Sequence, residues 1–171
     1  TVFSAASLSK PVFAYLVLQL EASGQLDLDR PLSEYLDYQD LAHDERAELI
    51  TARMILSHSS GLPNWRRGQL NLLFEPGTDF KYSGEGFVYL MRVVEKVMER
   101  PLQELMKEWV FAPLRMERSS YVWKPEFENN FAAPHNFQGE AFSIPRYKEA
   151  NSAYSLQTTA TDFGRFLLAV L

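Results

Sequence analysis

The chain contains no cysteine. That absence removes disulfides, thiolate metal sites and cysteine nucleophiles together. Basic charge is short as well: 17 Lys and Arg stand against 22 Asp and Glu, for a formal net charge of -5. Phosphate binding needs a basic surface, so nucleic acid is not an expected partner. Long apolar runs are missing too. The best candidate, Val12 to Leu20, is interrupted by Gln19 and followed by Glu21, short of the ~18 residues a membrane span requires. The three histidines, His43, His58 and His135, have no His-Glu-x-x-His or comparable spacing, so neither a metal nor any other cofactor is expected. A Gly-x-Ser-x-Gly elbow is also absent. His58 therefore reads as a hydrogen-bonded structural histidine beside a turn and not as the base of a Ser-His-Asp triad.

What is present is globular material. Of 171 residues, 46% are hydrophobic and 13% aromatic, enough for one core, and a single domain over residues 1–171 is the expectation. The chain opens on Thr1 and closes on Ala169-Val170-Leu171 inside an apolar helical pattern, which reads as a piece of a longer polypeptide truncated at both ends. Apolar spacing predicts a helix over Pro11 to Ala22, with Pro11 in its first turn and the start near residue 7. A helical region follows over about residues 24–120. It includes a short helix capped by Thr51, a long one from Phe87 to Glu99, and another from Pro101 to Phe111. Residues 121–158 are rich in Asn, Pro and aromatics without periodicity, and Thr159 with Asp162 marks the cap of a last helix over 159–171. Only Thr1–Ser4 and Tyr121–Trp123 look strand-like. The fold class read from this pattern is mostly α.

The most informative motif is Ser7-Leu8-Ser9-Lys10, at the mouth of the first apolar helix. A serine and a lysine three residues apart share one helix face. The amine can then reach the hydroxyl and take its proton, which is what makes a serine a nucleophile. Lys10 does so only in its neutral form, and a cation at a helix N-terminus is already disfavoured.

Around this motif, Phe3 to Lys10 resembles the first active-site motif of the serine β-lactamase and penicillin-binding-protein superfamily. Ile55-Leu56-Ser57-His58-Ser59-Ser60-Gly61-Leu62-Pro63 is similar to its histidine-containing Ser-Gly-Leu segment. Pro76-Gly77 through Tyr82-Ser83-Gly84 resembles the segment holding its second motif. Phe111-Ala112-Pro113-Leu114-Arg115-Met116 and Leu156 to Asp162 resemble two further segments, in the family's order. The resemblance points to the branch of class C β-lactamases, D-Ala-D-Ala carboxypeptidases and related esterases. It implies the helical region of the β-lactamase/transpeptidase-like α/β fold, lacking most of its antiparallel sheet. It also implies a serine acyl hydrolase working through an acyl-enzyme on an amide, lactam or ester, with Ser7 as nucleophile and Lys10 and Tyr82 as proton carriers. A small-molecule or peptide substrate and a periplasmic or secreted location follow from the same likeness.

Two departures qualify the resemblance. Gly84 stands where the second motif usually carries Asn, which removes a side-chain amide from the substrate's surroundings and weakens the lactam reading more than the esterase one. No Lys-Thr-Gly or His-x-Gly third motif follows Thr159, so the stretch by itself is expected to be inactive. The alternative reading is a non-catalytic binding or scaffold domain of the same ancestry. Self-association through exposed apolar faces is a further expectation.

Overall fold

The computed structural model describes residues 1–171. Five α-helices carry the chain: α1 (Ser9–Ala22), α2 (Ala52–Leu56), α3 (Gly84–Met98), α4 (Leu102–Met106) and α5 (Ala160–Val170). Strand is confined to β1 (Phe3–Ser4) and β2 (Gln157–Thr158), antiparallel, with Phe3 opposite Thr158 and Ser4 opposite Gln157. The mostly α reading of the sequence holds. The residues group into two compact units, one made of Thr1–Leu16 with Pro101–Leu171, the other of Val17–Arg100.

In the first unit, β1 passes through a 3-10 turn, Ala6–Leu8, directly into α1. Pro11 is the third residue of α1, where its missing N–H leaves no helical bond unmade. Val12, Phe13 and Leu16 are fully buried, each side chain contributing roughly 1.5–3 kcal/mol by removal from water. α4 begins after Pro101 as the sequence predicts. It widens over Lys107–Phe111 into a π-helical turn, closed by Ala112 N–H donating to Lys107 O at 2.9 Å. Leu102, Leu105, Met106 and Val110 are buried along this stretch. The strand expected at Tyr121–Trp123 does not form. Tyr121 N–H is taken by Gln103 Oε1 at 2.7 Å and Val122 N–H by Ser120 Oγ at 3.2 Å, while Trp123 N–H donates to Tyr147 O at 2.7 Å, so no ladder develops beyond a single bridge from Ser120 to Gln157. α5 is capped by Thr159, whose hydroxyl accepts from Asp162 N–H at 3.1 Å. The Asp162 carboxylate is itself buried and accepts from Arg118 N–H and the Ser119 hydroxyl.

In the second unit, the stretch after Pro31 winds through 3-10 turns at Leu32–Glu34, Gln39–Leu41 and Glu45–Leu49. Thr51 caps α2 by accepting from Met54 N–H at 3.3 Å. α3 starts three residues before Phe87, because Ser83 caps it: its hydroxyl accepts from Gly86 N–H at 2.8 Å. Phe87, Leu90, Met91, Val93 and Val94 form its buried face. Gly61 has φ +80, and a Cβ there would stand 2.5 Å from Phe74 O. Only glycine serves at that position. No helix of the structure is long and apolar enough to cross a membrane.

Candidate active site

Ser7 lies in the middle of the 3-10 turn that feeds α1, with its side chain at the surface. The residue before it, Ala6, has φ 44, a left-handed conformation that costs a non-glycine residue roughly 1–2 kcal/mol. Such strain persists only where neighbouring bonds over-determine it, and here they are visible. Ala5 N–H donates to Leu156 O at 2.8 Å and Leu8 N–H to Ala5 O at 3.0 Å. Ser9 Oγ donates to Ala6 O at 2.6 Å and accepts from Leu156 N–H at 2.9 Å. The phenol of the buried Tyr121 donates to Ser9 O at 2.6 Å. Burial pushes that phenol well above its ordinary value. The two serines of the tetrapeptide thus have opposite surroundings. Ser9 is wholly buried and tied into the fold, while Ser7 is exposed on a strained turn.

Lys10 is the second residue of α1 and is 4% exposed. Its Nζ lies 3.3 Å from Ser7 Oγ and donates to Ala153 O at 2.8 Å. That carbonyl belongs to a turn fixed by Ala153 N–H on Asn151 Oδ1 and by Asn151 N–H on Ser155 Oγ. Sequence reasoning missed this partner, since 143 residues separate it from Lys10 and a backbone acceptor leaves no mark in a motif. The arrangement places a buried amine and an exposed hydroxyl within reach of one another, which is the geometry that deprotonation of the hydroxyl requires.

Tyr82 belongs to the second unit and is 38% exposed. His58, with φ 59, packs its ring 4.5 Å from that of Tyr82 and 5.4 Å from that of Phe87, centroid to centroid. Its Nδ1 accepts from Ser83 N–H at 3.1 Å, and its carbonyl accepts from Lys81 N–H at 2.8 Å. An Nδ1 that accepts places the proton of the neutral ring on Nε2. Ser83 Oγ in turn donates to Pro63 O at 2.9 Å. The segment His58–Pro63 therefore clamps residues 81–83 from both sides, and Tyr82 is held at the clamp. His58 has the structural, hydrogen-bonded role that its place beside a turn suggests.

Gly84 follows. Its N–H is shared between Asn64 O at 3.0 Å and Asn64 Oδ1 at 3.1 Å. A Cβ at Gly84 would lie 2.7 Å from Asn64 O and 2.7 Å from Cη2 of Trp65. The missing asparagine is thus more than a substitution: the space for its side chain is taken. Nothing in the composition of the loop around Trp65 signals this close approach. No group of three or more His, Asp or Glu gathers as metal ligands do.

The Beta-lactamase family model matches residues 1–171. Esterase EstB of Burkholderia gladioli is 29% identical over 168 residues, covering 80% of this chain and 42% of its own. Penicillin-binding protein 4 of Amycolatopsis lactamdurans is 27% identical over 185 residues, covering 98% of this chain and 48% of its own. A crystal structure of a class C beta lactamase superposes with a TM-score of 0.85 at 23% identity, over 99% of this chain and 50% of that one. The chain spans about half the length of the curated relatives it matches.

Proposed function

The chain belongs to the beta-lactamase family, and from that membership we propose that the protein carrying it is a serine acyl hydrolase in which Ser7 is the nucleophile. The observation that carries this reading is the 3.3 Å approach of the buried Lys10 amine to the exposed Ser7 hydroxyl. In its neutral form Lys10 takes the Ser7 proton as Oγ bonds to the substrate's carbonyl carbon. The carbonyl oxygen becomes an oxyanion, and the backbone N–H of Ser7, at the entry to α1, is one donor suited to stabilise it. When the intermediate collapses, the carbonyl re-forms, the bond to the leaving group breaks, and the proton passes to the departing atom. Water then cleaves the acyl-enzyme by the same steps in reverse order, returning the proton to Ser7 and releasing a carboxylic acid. Tyr82 takes the second proton-carrying role, supported by its place before Ser83-Gly84 and by its exposed ring held against His58.

Incubating the whole protein with a fluorescent penicillin or an activated ester tests the reading. The expected result is covalent label confined to the peptide containing Ser7 and abolished in Ser7→Ala. Unimpaired acyl transfer by Ser7→Ala would overturn it, and label on no substrate would favour a binding domain.

A further inference from the structure

The acidic stretch from Asp37 to Glu48 has no part in the proposed chemistry, yet it borders a cavity of about 320 Å³ inside the second unit. The carboxylates of Asp37, Asp44, Glu45 and Glu48 line this cavity, and no Lys, Arg or His does. Asp44 caps the 3-10 turn Glu45–Leu49 and is held by Arg46, whose Nε and Nη2 donate to it at 2.8 and 2.6 Å. Residues three apart eclipse one another in such a turn, so Glu45 and Glu48 stand on the same side of it. Both are exposed, and neither carboxylate makes a hydrogen bond or an ion pair. Like charges so placed repel. Asp37 accepts from the neutral Gln39 amide at 2.6 Å and has no cationic partner.

α3 brings a phenol to the same cavity. Tyr89 lines it, is 2% exposed, and stacks on Tyr38 with 4.4 Å between ring centroids and 12° between ring planes. Its hydroxyl makes no hydrogen bond within the chain. The side-chain polar atoms that are both sealed from solvent and unpartnered are Gln19 Oε1, Trp109 Nε1 and Gln157 Oε1. The Tyr89 oxygen is not one of them, so the little of Tyr89 that solvent reaches includes this oxygen, and it opens on the cavity. Burial, with Tyr38 and then Asp37 adding to it, holds the phenol well above its ordinary value. It therefore stays neutral, able to accept as well as donate. A buried hydroxyl without a partner is costly, and the partner that Tyr89 lacks can reach it only from the cavity.

We propose that this cavity binds an extended aliphatic polyamine in its ammonium form, with its amino groups held by Asp37, Glu45, Glu48 and the Tyr89 oxygen. The uncompensated carboxylates fix the sign of the ligand's charge. Their spread fixes its length: no three acidic groups converge as metal ligands do, so a point charge satisfies one or two of them while a chain of amines reaches them all. Between the carboxylates the lining is apolar, from Leu41, Ala47 and the two tyrosines. Methylene groups cover such surface favourably, and an ammonium is attracted to a tyrosine ring face. The volume lies at the lower end of the roughly 300–1,000 Å³ common for small-molecule sites, which suits an unbranched chain. The site lies wholly within Val17–Arg100 and does not depend on the acyl-hydrolase reading of Ser7.

Isothermal titration calorimetry of spermidine into the whole protein tests the proposal, at low ionic strength because salt screens such contacts. Saturable one-to-one binding is expected. Tyr89→Phe keeps the stacked ring and every charge and removes only the oxygen, so it is expected to weaken binding about tenfold, in line with a hydrogen bond to a charged group. Its melting temperature should match or exceed that of the wild type, since the hydroxyl it loses is unpartnered, and weaker binding is then not misfolding. The exposed pair Glu45→Gln with Glu48→Gln should weaken binding by about tenfold or more. Glu149→Gln, which removes an exposed carboxylate from the other unit, should stay within about twofold. An absence of saturable binding overturns the proposal. So does Tyr89→Phe binding within about twofold of the wild type, because diffuse attraction to an acidic surface survives that change. Displacement of spermidine by magnesium chloride beyond that by sodium chloride at equal ionic strength also overturns it, in favour of a metal site.

Discussion

Replacing Ser9 by alanine separates two serines that share a tetrapeptide. Ser9 is fully buried, and its hydroxyl makes two bonds: it donates to Ala6 O at 2.6 Å and accepts from Leu156 N–H at 2.9 Å. Truncation removes the first, a net loss of about 1 kcal/mol, and leaves a buried backbone donor without its acceptor, at about 1–3 kcal/mol. Part of this is recovered, since Ala6, at φ 44, is freed from one of the bonds that hold it left-handed, and up to about 1 kcal/mol of strain relaxes. The balance is a destabilisation of about 2 kcal/mol, or roughly 4–8 °C in melting temperature for a domain of this size. Ser7→Ala removes an exposed hydroxyl and stays within about 0.5 kcal/mol. Thermal melts followed by circular dichroism read the stability, and mass spectrometry after an activated ester reads the label. Ser9→Ala should melt early with its label, where it forms, still on Ser7; Ser7→Ala should melt normally without label. A Ser9→Ala protein that melts within 1 °C of the wild type, a margin of roughly 0.5 kcal/mol or less, would refute the account of the turn as held by Ser9.

Three further outcomes follow from the same geometry. Gly84→Ala should cost about 1–3 kcal/mol by overpacking against Asn64 O and Trp65, seen as a lower urea midpoint at constant slope. His58→Ala should cost about 1–3 kcal/mol by stranding Ser83 N–H, and His58→Asn should retain more, because asparagine tolerates the φ of 59 and offers an acceptor. Above pH 10 the unfolded chain ionises Tyr121 while burial keeps the folded phenol neutral, so the unfolded state binds fewer protons. The stability from this group is complete below pH 10 and declines by up to about 1.4 kcal/mol per unit as pH rises. Urea melts between pH 9 and 11 should show a slope shallower by one proton in Tyr121→Phe, with burial of Tyr38, Tyr89 and Tyr147 sustaining the remainder.

The parts of this molecule legible in its sequence are those whose physics is local. Thr51 and Thr159 announce α2 and α5 because an N-cap is a bond across three residues. The apolar faces of α1 and α3 repeat at helical spacing and are buried accordingly. The approach of Lys10 to Ser7 belongs to the same class, being a neighbour relation on one helical turn. The start of α3 was hidden because Gly84 and Gly86 discourage a helix over its first residues, and the cap supplied by Ser83 depends on Pro63, twenty residues earlier, to orient its hydroxyl. Tyr121–Trp123 has strand-forming residues, but the Gln103 amide oxygen takes the donor that a ladder would need.

Gly84 is the instructive case, because the sequence reads correctly there and still misleads. Taken alone, a glycine in place of asparagine is the subtraction of an amide, and the inference stops at a weakened motif. The structure adds what fills the space, a tryptophan whose neighbours Asn64 and Arg66 are bonded to the first turn of α3. Once Trp65 is there, glycine becomes the residue that the position demands, and asparagine would have to displace both an indole and a backbone carbonyl. Steric exclusion acts between residues 19 positions apart in an irregular loop and a helix start, where neither period nor propensity couples them. A departure from a motif is therefore interpretable only together with the side chain that made it possible, and here that side chain is the indole packed against Gly84.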